Sequence, residues 1–296
     1  MLLAKYFEKR RKAVNKALDK YLAPEDTKPT SLHKSMRHTI FAGGKRLRPL
    51  LFIATYEMLR GRKDLRAVRK ILPVAAALEM VHSASLIHDD LPFIDNADQR
   101  RGEISNHKKF GNAIAILAGH ALMTKSFETI LKISNKDKAL KCLQLLIQAC
   151  STRGMLGGQV IEITAFQKKR VKLHMLRDIH LKKTGALLKA SIQMASVLME
   201  SDKQIYNALG DFALNIGLAY QVIDDILDEV GADEILDKPS GEDLRNRKVT
   251  YPVLLGVEES KSQAIKLLKD AKNVIKYMPN NEVLIEFVDS IRDRIP

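Results

Sequence analysis

No proline occurs between Pro92 and Pro239, and this constrains the fold more than any other feature of the chain. Proline ends or kinks a helix because its ring fixes φ, removes a backbone donor and crowds the carbonyl four residues back. Its absence leaves long helices open, and apolar residues recur through the interval at helical spacing, as in Ala113 to Met123 and Leu187 to Leu198. Glycine, proline and polar clusters predict breaks at Pro24 to Thr30, Gly43-Gly44, Gly61 to Asp64, Ser134 to Asp137, Glu200 to Lys203, Gly231 to Asp243 and Pro279 to Glu282. The pattern predicts an all-α bundle. With 296 residues and 46% hydrophobic content, one large helical core is feasible, and residues 1–296 read as a single domain without internal repeats.

Two aspartate clusters interrupt this apolar pattern. Asp89, Asp90 and Asp95 form one; Asp224, Asp225 and Asp228 form the other. Like charges in apolar surroundings repel and lose solvation, so they require cations. Asp224 and Asp228 are four residues apart, on one face of a helix about a turn from each other. Asp89 and Asp95 would splay apart on a straight helix, but Pro92 should end it and let Asp95 turn back. Such sets suit Mg²⁺, which takes a few carboxylates and completes its shell with water and phosphate oxygens. No Cys/His set suggests zinc.

Basic runs alternate with these acids. Gly43-Gly44-Lys45-Arg46-Leu47-Arg48-Pro49 joins a double glycine, where backbone can approach a ligand, to three cations. Arg100-Arg101-Gly102, Lys182-Lys183-Thr184-Gly185, Lys238-Pro239 and Lys248 to Pro252 follow. Arginine forks and lysine point charges are the usual partners of phosphate groups. The alternation suggests a pocket for two diphosphates bridged by metal. Residues 231–248, rich in charge and glycine, read as a loop able to close over bound diphosphate.

The order of Gly43 to Pro49, Glu79 to Asp90, Asp95 to Gly102, Gly154 to Gln159, Lys182 to Leu188, Tyr220 to Asp228 and Lys248 to Pro252 resembles the trans-isoprenyl diphosphate synthases, from about residue 30 onward. The longer first acidic motif is similar to the short-chain type, geranylgeranyl diphosphate synthases in particular. The resemblance implies an isoprenoid-synthase bundle of long antiparallel helices around a central cavity. It implies a homodimeric prenyltransferase that condenses isopentenyl diphosphate with dimethylallyl, geranyl or farnesyl diphosphate. By the same resemblance Asp89, Asp95 and Asp224 hold about three Mg²⁺ ions, with Asp90, Asp225 and Asp228 in support. Lys45, Arg48, His82 and Arg101 bind isopentenyl diphosphate, and Arg100, Lys183, Lys238 and Lys248 bind the allylic diphosphate. The Thr184 hydroxyl and Gln221 amide face the developing allylic cation.

Product length has a mechanical reading. One isoprene unit, roughly 5 Å long, nearly matches the 5.4 Å helical pitch, so residues upstream of Asp89 set the depth available to the growing tail. Farnesyl-specific relatives often carry an aromatic residue four or five positions before the first aspartate. Here Ser85 and Ala84 stand there, both small, which opens the way toward Val81 and favours the twenty-carbon geranylgeranyl product. Farnesyl diphosphate is the alternative product, a longer-chain synthase or a terpene cyclase the more distant readings. Two positions depart from the family pattern: His120 stands where an aspartate is common, and Asn112 replaces a common acidic residue. Neither they nor His107 and His180 are read as metal ligands.

The formal charge of +14 could serve nucleic acid or an anionic membrane. Aromatic residues make up only 5%, tryptophan is absent, and no nucleic-acid-binding signature appears. The basic amphipathic stretch Lys5 to Lys20 reads as a first helix packed on the bundle rather than a membrane anchor. No apolar run suggests a membrane span and no signal peptide is apparent. Cys142 and Cys150 read as reduced packing residues of a cytoplasmic protein.

Overall fold

The computed structural model describes residues 2–167, 171–231 and 249–296. Helices run over α1 Leu2–Tyr21, α2 Thr30–Phe41, α3 Leu47–Arg60, α4 Leu65–Asp89, α5 Asn106–Phe110, α6 Asn112–Ile130, α7 Lys136–Cys150 and α8 Met155–Gln167. They continue with α9 Leu173–His180, a π-helical turn Leu181–Gly185, α10 Ala186–Met199, α11 Lys203–Val230, α12 Tyr251–Leu255, α13 Val257–Ile275 and α14 Glu282–Arg292. Among the described residues the strand content is one antiparallel ribbon, β1 Gln99–Arg100 with β2 Glu103–Ile104. The all-α expectation therefore stands, and helices make up most of the described part of the proline-free interval. Breaks occur near each anticipated glycine, proline or polar cluster among the described residues; those at 151–154, around Gly111 and at Gly256 were not anticipated.

The chain divides into two compact units, residues 1–53 with 64–143 and residues 54–63 with 144–296. In the first, α4 packs against α6, α1 and α2. Its stretch Val74 to Val81 is buried on every side, as expected of a helix that is apolar nearly all round, with Glu79 the exception. The Asp64 side chain caps its start by accepting from Arg66 N at 2.9 Å. α6 buries Ala115, Ala118, Gly119, Leu122, Ser126 and Thr129, one stripe at helical spacing. Gly119 allows close approach there, since a Cβ at this position would lie 2.2 Å from His88 Nε2 and the ring would have to move. α1 buries Tyr6, Phe7, Val14, Ala17 and Leu18 and packs on α4.

An 18-residue window of α4 reaches a mean hydropathy of 1.4, so this helix is long and apolar enough to cross a membrane. That corrects the expectation from sequence. Because 72% of the window is buried inside the protein, its apolar character is accounted for by core packing.

In the second unit α11 packs against α13, α10 and the π turn. Asp202 caps its start by accepting from Ile205 N at 2.8 Å, and Gly231 ends it in the left-handed conformation, φ 76°. Cys142 and Cys150 are both buried and unbridged, and burial pushes both thiols up to about 12.

Candidate active site

The first acidic motif forms where α4 stops. Pro92 cannot continue the helix, and the chain folds back so that Asp95 N donates to Asp89 O at 2.9 Å and Ala97 N to Asp90 O at 3.2 Å. Asn96 takes the left-handed conformation the turn needs, φ 49°. Asp95 thus returns to Asp89 despite their separation in sequence, and both are half-buried. Asp90 points inward, and its Oδ1 accepts from Arg100 Nε at 2.9 Å and Nη2 at 2.5 Å. Burial raises the Asp90 carboxyl to about 6; Arg100 opposes the shift, while Asp89 and Asp95 add to it.

Arg101 and Gly102 form the two-residue turn of the ribbon, with φ 57° and 78°, the signature of a type I′ hairpin. The turn directs Arg101 into the first unit, where Nη1 donates to Gly43 O at 3.0 Å and Nη2 to Glu79 Oε1 at 3.3 Å. Glu79 also accepts from Arg46 Nη1 at 2.7 Å. Arg46 is buried and donates besides to Asn15 Oδ1 at 3.0 Å and to Ile40 O. The basic run therefore separates by depth: Arg46 is a buried counter-ion, Arg48 is half-buried and Lys45 is exposed. Burial pushes the His82 imidazole well below its ordinary pKa, and Arg48, Arg101, Arg46 and Arg100 reinforce this. Arg48, His82 and Arg101 are thus brought together, with the histidine uncharged at neutral pH.

Of the three residues assigned to product length, Val81 and Ala84 are wholly buried. Ser85 is half-buried and its Oγ donates to His82 O at 2.8 Å. His120 is exposed and meets the His88 ring edge-on, centroids 5.2 Å apart, and Asn112 lies exposed at the first position of α6.

The second motif lies on α11. Asp225 is a buried hub: Oδ1 accepts from Gln221 Nε2 at 3.1 Å, and Oδ2 accepts from Tyr251 N at 3.1 Å and lies 3.3 Å from His180 Nε2. Thr184 Oγ1 donates to Gln221 Oε1 at 3.2 Å, which joins Thr184, Gln221 and Asp225 in one chain. His180 stacks on Tyr251, centroids 5.6 Å apart, a packing role as expected. Asp224 is half-buried, and its Oδ1 accepts from Arg294 Nη2 at 2.7 Å. The Arg294 guanidinium also lies 4.5 Å from the Tyr220 ring centroid. Asp228 is buried.

Lys183 and Thr184 sit in the π turn, an irregularity often found at functional sites. α8 approaches it closely, since a Cβ on Gly158 would lie 2.5 Å from Lys183 N. One turn further along α8, Glu162 Oε2 accepts from Lys183 Nζ at 2.5 Å. Lys238 and Lys248, with all of the expected closing loop after Gly231, lie outside the described residues.

The donor set suits Mg²⁺. The half-buried carboxylates Asp89, Asp95 and Asp224 are hard oxygen donors, and Asp224 already accepts a cationic side chain. No cluster of three metal-ligating side chains is assembled among the described residues. Glu79, Glu162 and Arg294 are functional candidates that sequence reasoning missed; Glu79 alone stood in a recognised motif.

Residues 29–282 match the family model described as polyprenyl synthetase. The chain is 40% identical to a geranylgeranyl diphosphate synthase of Cyanophora paradoxa, covering 99% of this chain and 96% of the relative. It is 39% identical to a farnesyl diphosphate synthase of Bacillus subtilis, covering 99% and 98%. Among solved structures, an apo FPP/GFPP synthase from Zymomonas mobilis superposes with a TM-score of 0.85 at 32% identity, covering 98% of each chain.

Proposed function

The chain belongs to the polyprenyl synthetase family and is a short-chain prenyltransferase, and on that premise we propose that it extends allylic diphosphates with isopentenyl diphosphate to the twenty-carbon geranylgeranyl product. The observation that carries the substrate reading is the gathering of Arg48, Arg101 and His82 in the same compact unit as the Asp89–Asp95 turn. The family match runs continuously over residues 29–282, which supports a single catalytic domain.

In this reading Lys45, Arg48 and Arg101 neutralise the diphosphate of isopentenyl diphosphate, and His82, uncharged, donates a hydrogen bond to it. Arg100, Lys183, Lys238 and Lys248 bind the allylic diphosphate. About three Mg²⁺ ions, held by Asp89, Asp95 and Asp224, would supply the charge that stabilises diphosphate as it leaves. The Thr184 hydroxyl proton is committed to Gln221, so the lone pairs of its oxygen are available to the allylic cation. Asp225 keeps the Gln221 amide in register for this. Holding the isopentenyl double bond beside the cation makes the encounter effectively unimolecular. The departing diphosphate then accepts the proton lost on forming the new double bond.

A homodimer is part of the proposal, supported by the exposed Leu117 on α6 and Leu140 on α7. Product length rests on Ser85, small and half-buried one helical turn before Asp89. The test is chromatography of products made from each allylic starter with and without isopentenyl diphosphate. Geranylgeranyl diphosphate should dominate and form only when both substrates are present. A main product of fifteen carbons would overturn the length assignment, and turnover of allylic diphosphate alone to hydrocarbon would indicate a cyclase.

A further inference from the structure

We infer that Glu79 is a positioning residue for the isopentenyl diphosphate site, acting through Arg101. This deepens the proposed function and rests on its assignment of Arg101 to that substrate. Glu79 lies in the middle of α4 at 0% exposure, where a carboxylate is retained only if cations and hydrogen bonds compensate it. Its Oε1 takes both guanidinium groups, Arg46 at 2.7 Å and Arg101 at 3.3 Å. Two positive charges against one negative leave the cluster net positive, so an anion is still attracted after Arg101 is fixed.

The remaining constraints on Arg101 come from other segments. Its backbone is held left-handed in the ribbon turn, φ 57°, and Nη1 is tied to Gly43 O at 3.0 Å. A Cβ on Gly44 would lie 2.5 Å from its Cζ and 2.7 Å from its Nε. Gly44 therefore leaves room for the Arg101 guanidinium while the Gly43 carbonyl holds it, where the sequence alone suggested direct backbone approach to a ligand. An arginine held by a carboxylate, a carbonyl and a glycine loses little rotamer freedom on binding, and pre-organisation of that kind lowers the cost of binding. Arg46 differs in that it donates to Asn15, Glu79 and Ile40 inside the protein.

The experiment uses steady-state kinetics of the full-length enzyme with Mg²⁺, varying each substrate in turn, on variants whose folding is first checked by circular dichroism. Glu79→Gln keeps the shape and removes the charge. It should raise KM for isopentenyl diphosphate about tenfold, with kcat and the allylic KM within about threefold of wild type. Glu79→Asp, which restores the charge, should recover part of the loss. In an Arg101→Gln background Glu79→Gln should have no further effect on that KM, because its action runs through Arg101. If Glu79→Gln does not fold, Glu79→Asp alone and in the Arg101→Gln background decides the matter. Equal changes for both substrates, or an additive Glu79 effect, would overturn the positioning role. A folded Arg101→Gln enzyme with an unchanged isopentenyl diphosphate KM would instead remove the substrate assignment itself.

Discussion

Tyrosine placed at Ser85 or at Ala84 should have opposite consequences, although the two positions are neighbours in sequence. Ser85 is half-buried, and its Oγ donates to the carbonyl of His82 in its own helix, at 2.8 Å. Replacing it costs that local bond, about 1 kcal/mol, and the new ring can extend into the partly open space beside the helix. Because one isoprene unit of roughly 5 Å spans nearly one turn of 5.4 Å, a ring one turn before Asp89 should stop the tail one unit early. Ala84 is at 0% exposure, so a phenol there must displace packed neighbours. Overpacking of this kind costs about 1–3 kcal/mol, and at roughly 2–4 °C per kcal/mol for a large domain the melting temperature should fall by several degrees. The assay is chromatography of dephosphorylated products, with thermal denaturation of the same samples. Ser85→Tyr should shift the main product from twenty to fifteen carbons at near-native stability, and Ala84→Tyr should melt early. A twenty-carbon main product from Ser85→Tyr, or an undiminished melting temperature for Ala84→Tyr, would refute the reasoning.

Asp89→Ala leaves the backbone carbonyl that accepts from Asp95 N, so the turn should survive while turnover falls at least ~100-fold, as does that of Asp224→Ala; wild-type rates in either folded variant would contradict the metal assignment. Arg48→Ala should raise the isopentenyl diphosphate KM more than the allylic KM, and equal rises would show the two basic sets to be misassigned. Arg294 already occupies Asp224 Oδ1 and must give way to a metal there. Arg294→Ala should therefore tighten Mn²⁺ binding by up to about tenfold in electron paramagnetic resonance titrations, and weaker binding would mean that Arg294 supports the site. Light scattering at micromolar concentration should return twice the 33.3 kDa chain mass; the mass of one chain would exclude the homodimer.

Much of the fold was legible because it is local. Helix breaks fell near glycines, prolines and polar clusters, and the return of Asp95 to Asp89 followed from Pro92 ending α4, an effect confined to a few residues of backbone. That the acidic clusters would find cationic side chains was legible too, since charges in apolar surroundings demand partners. Which charge partners which was not. Within the run Lys45 to Arg48 the residues look alike, yet Arg46 turns inward to Glu79 while Arg48 stays half-buried near His82. Lys183 meets Glu162, His180 meets Asp225 and Arg294 meets Asp224, at sequence separations of 21, 45 and 70. Helical periodicity says which face a side chain takes but not which helix will cover that face. A hydrogen bond needs its partners within about 3 Å, so these pairings, and the difference between Ala84 and Ser85, were decided only when the helices packed.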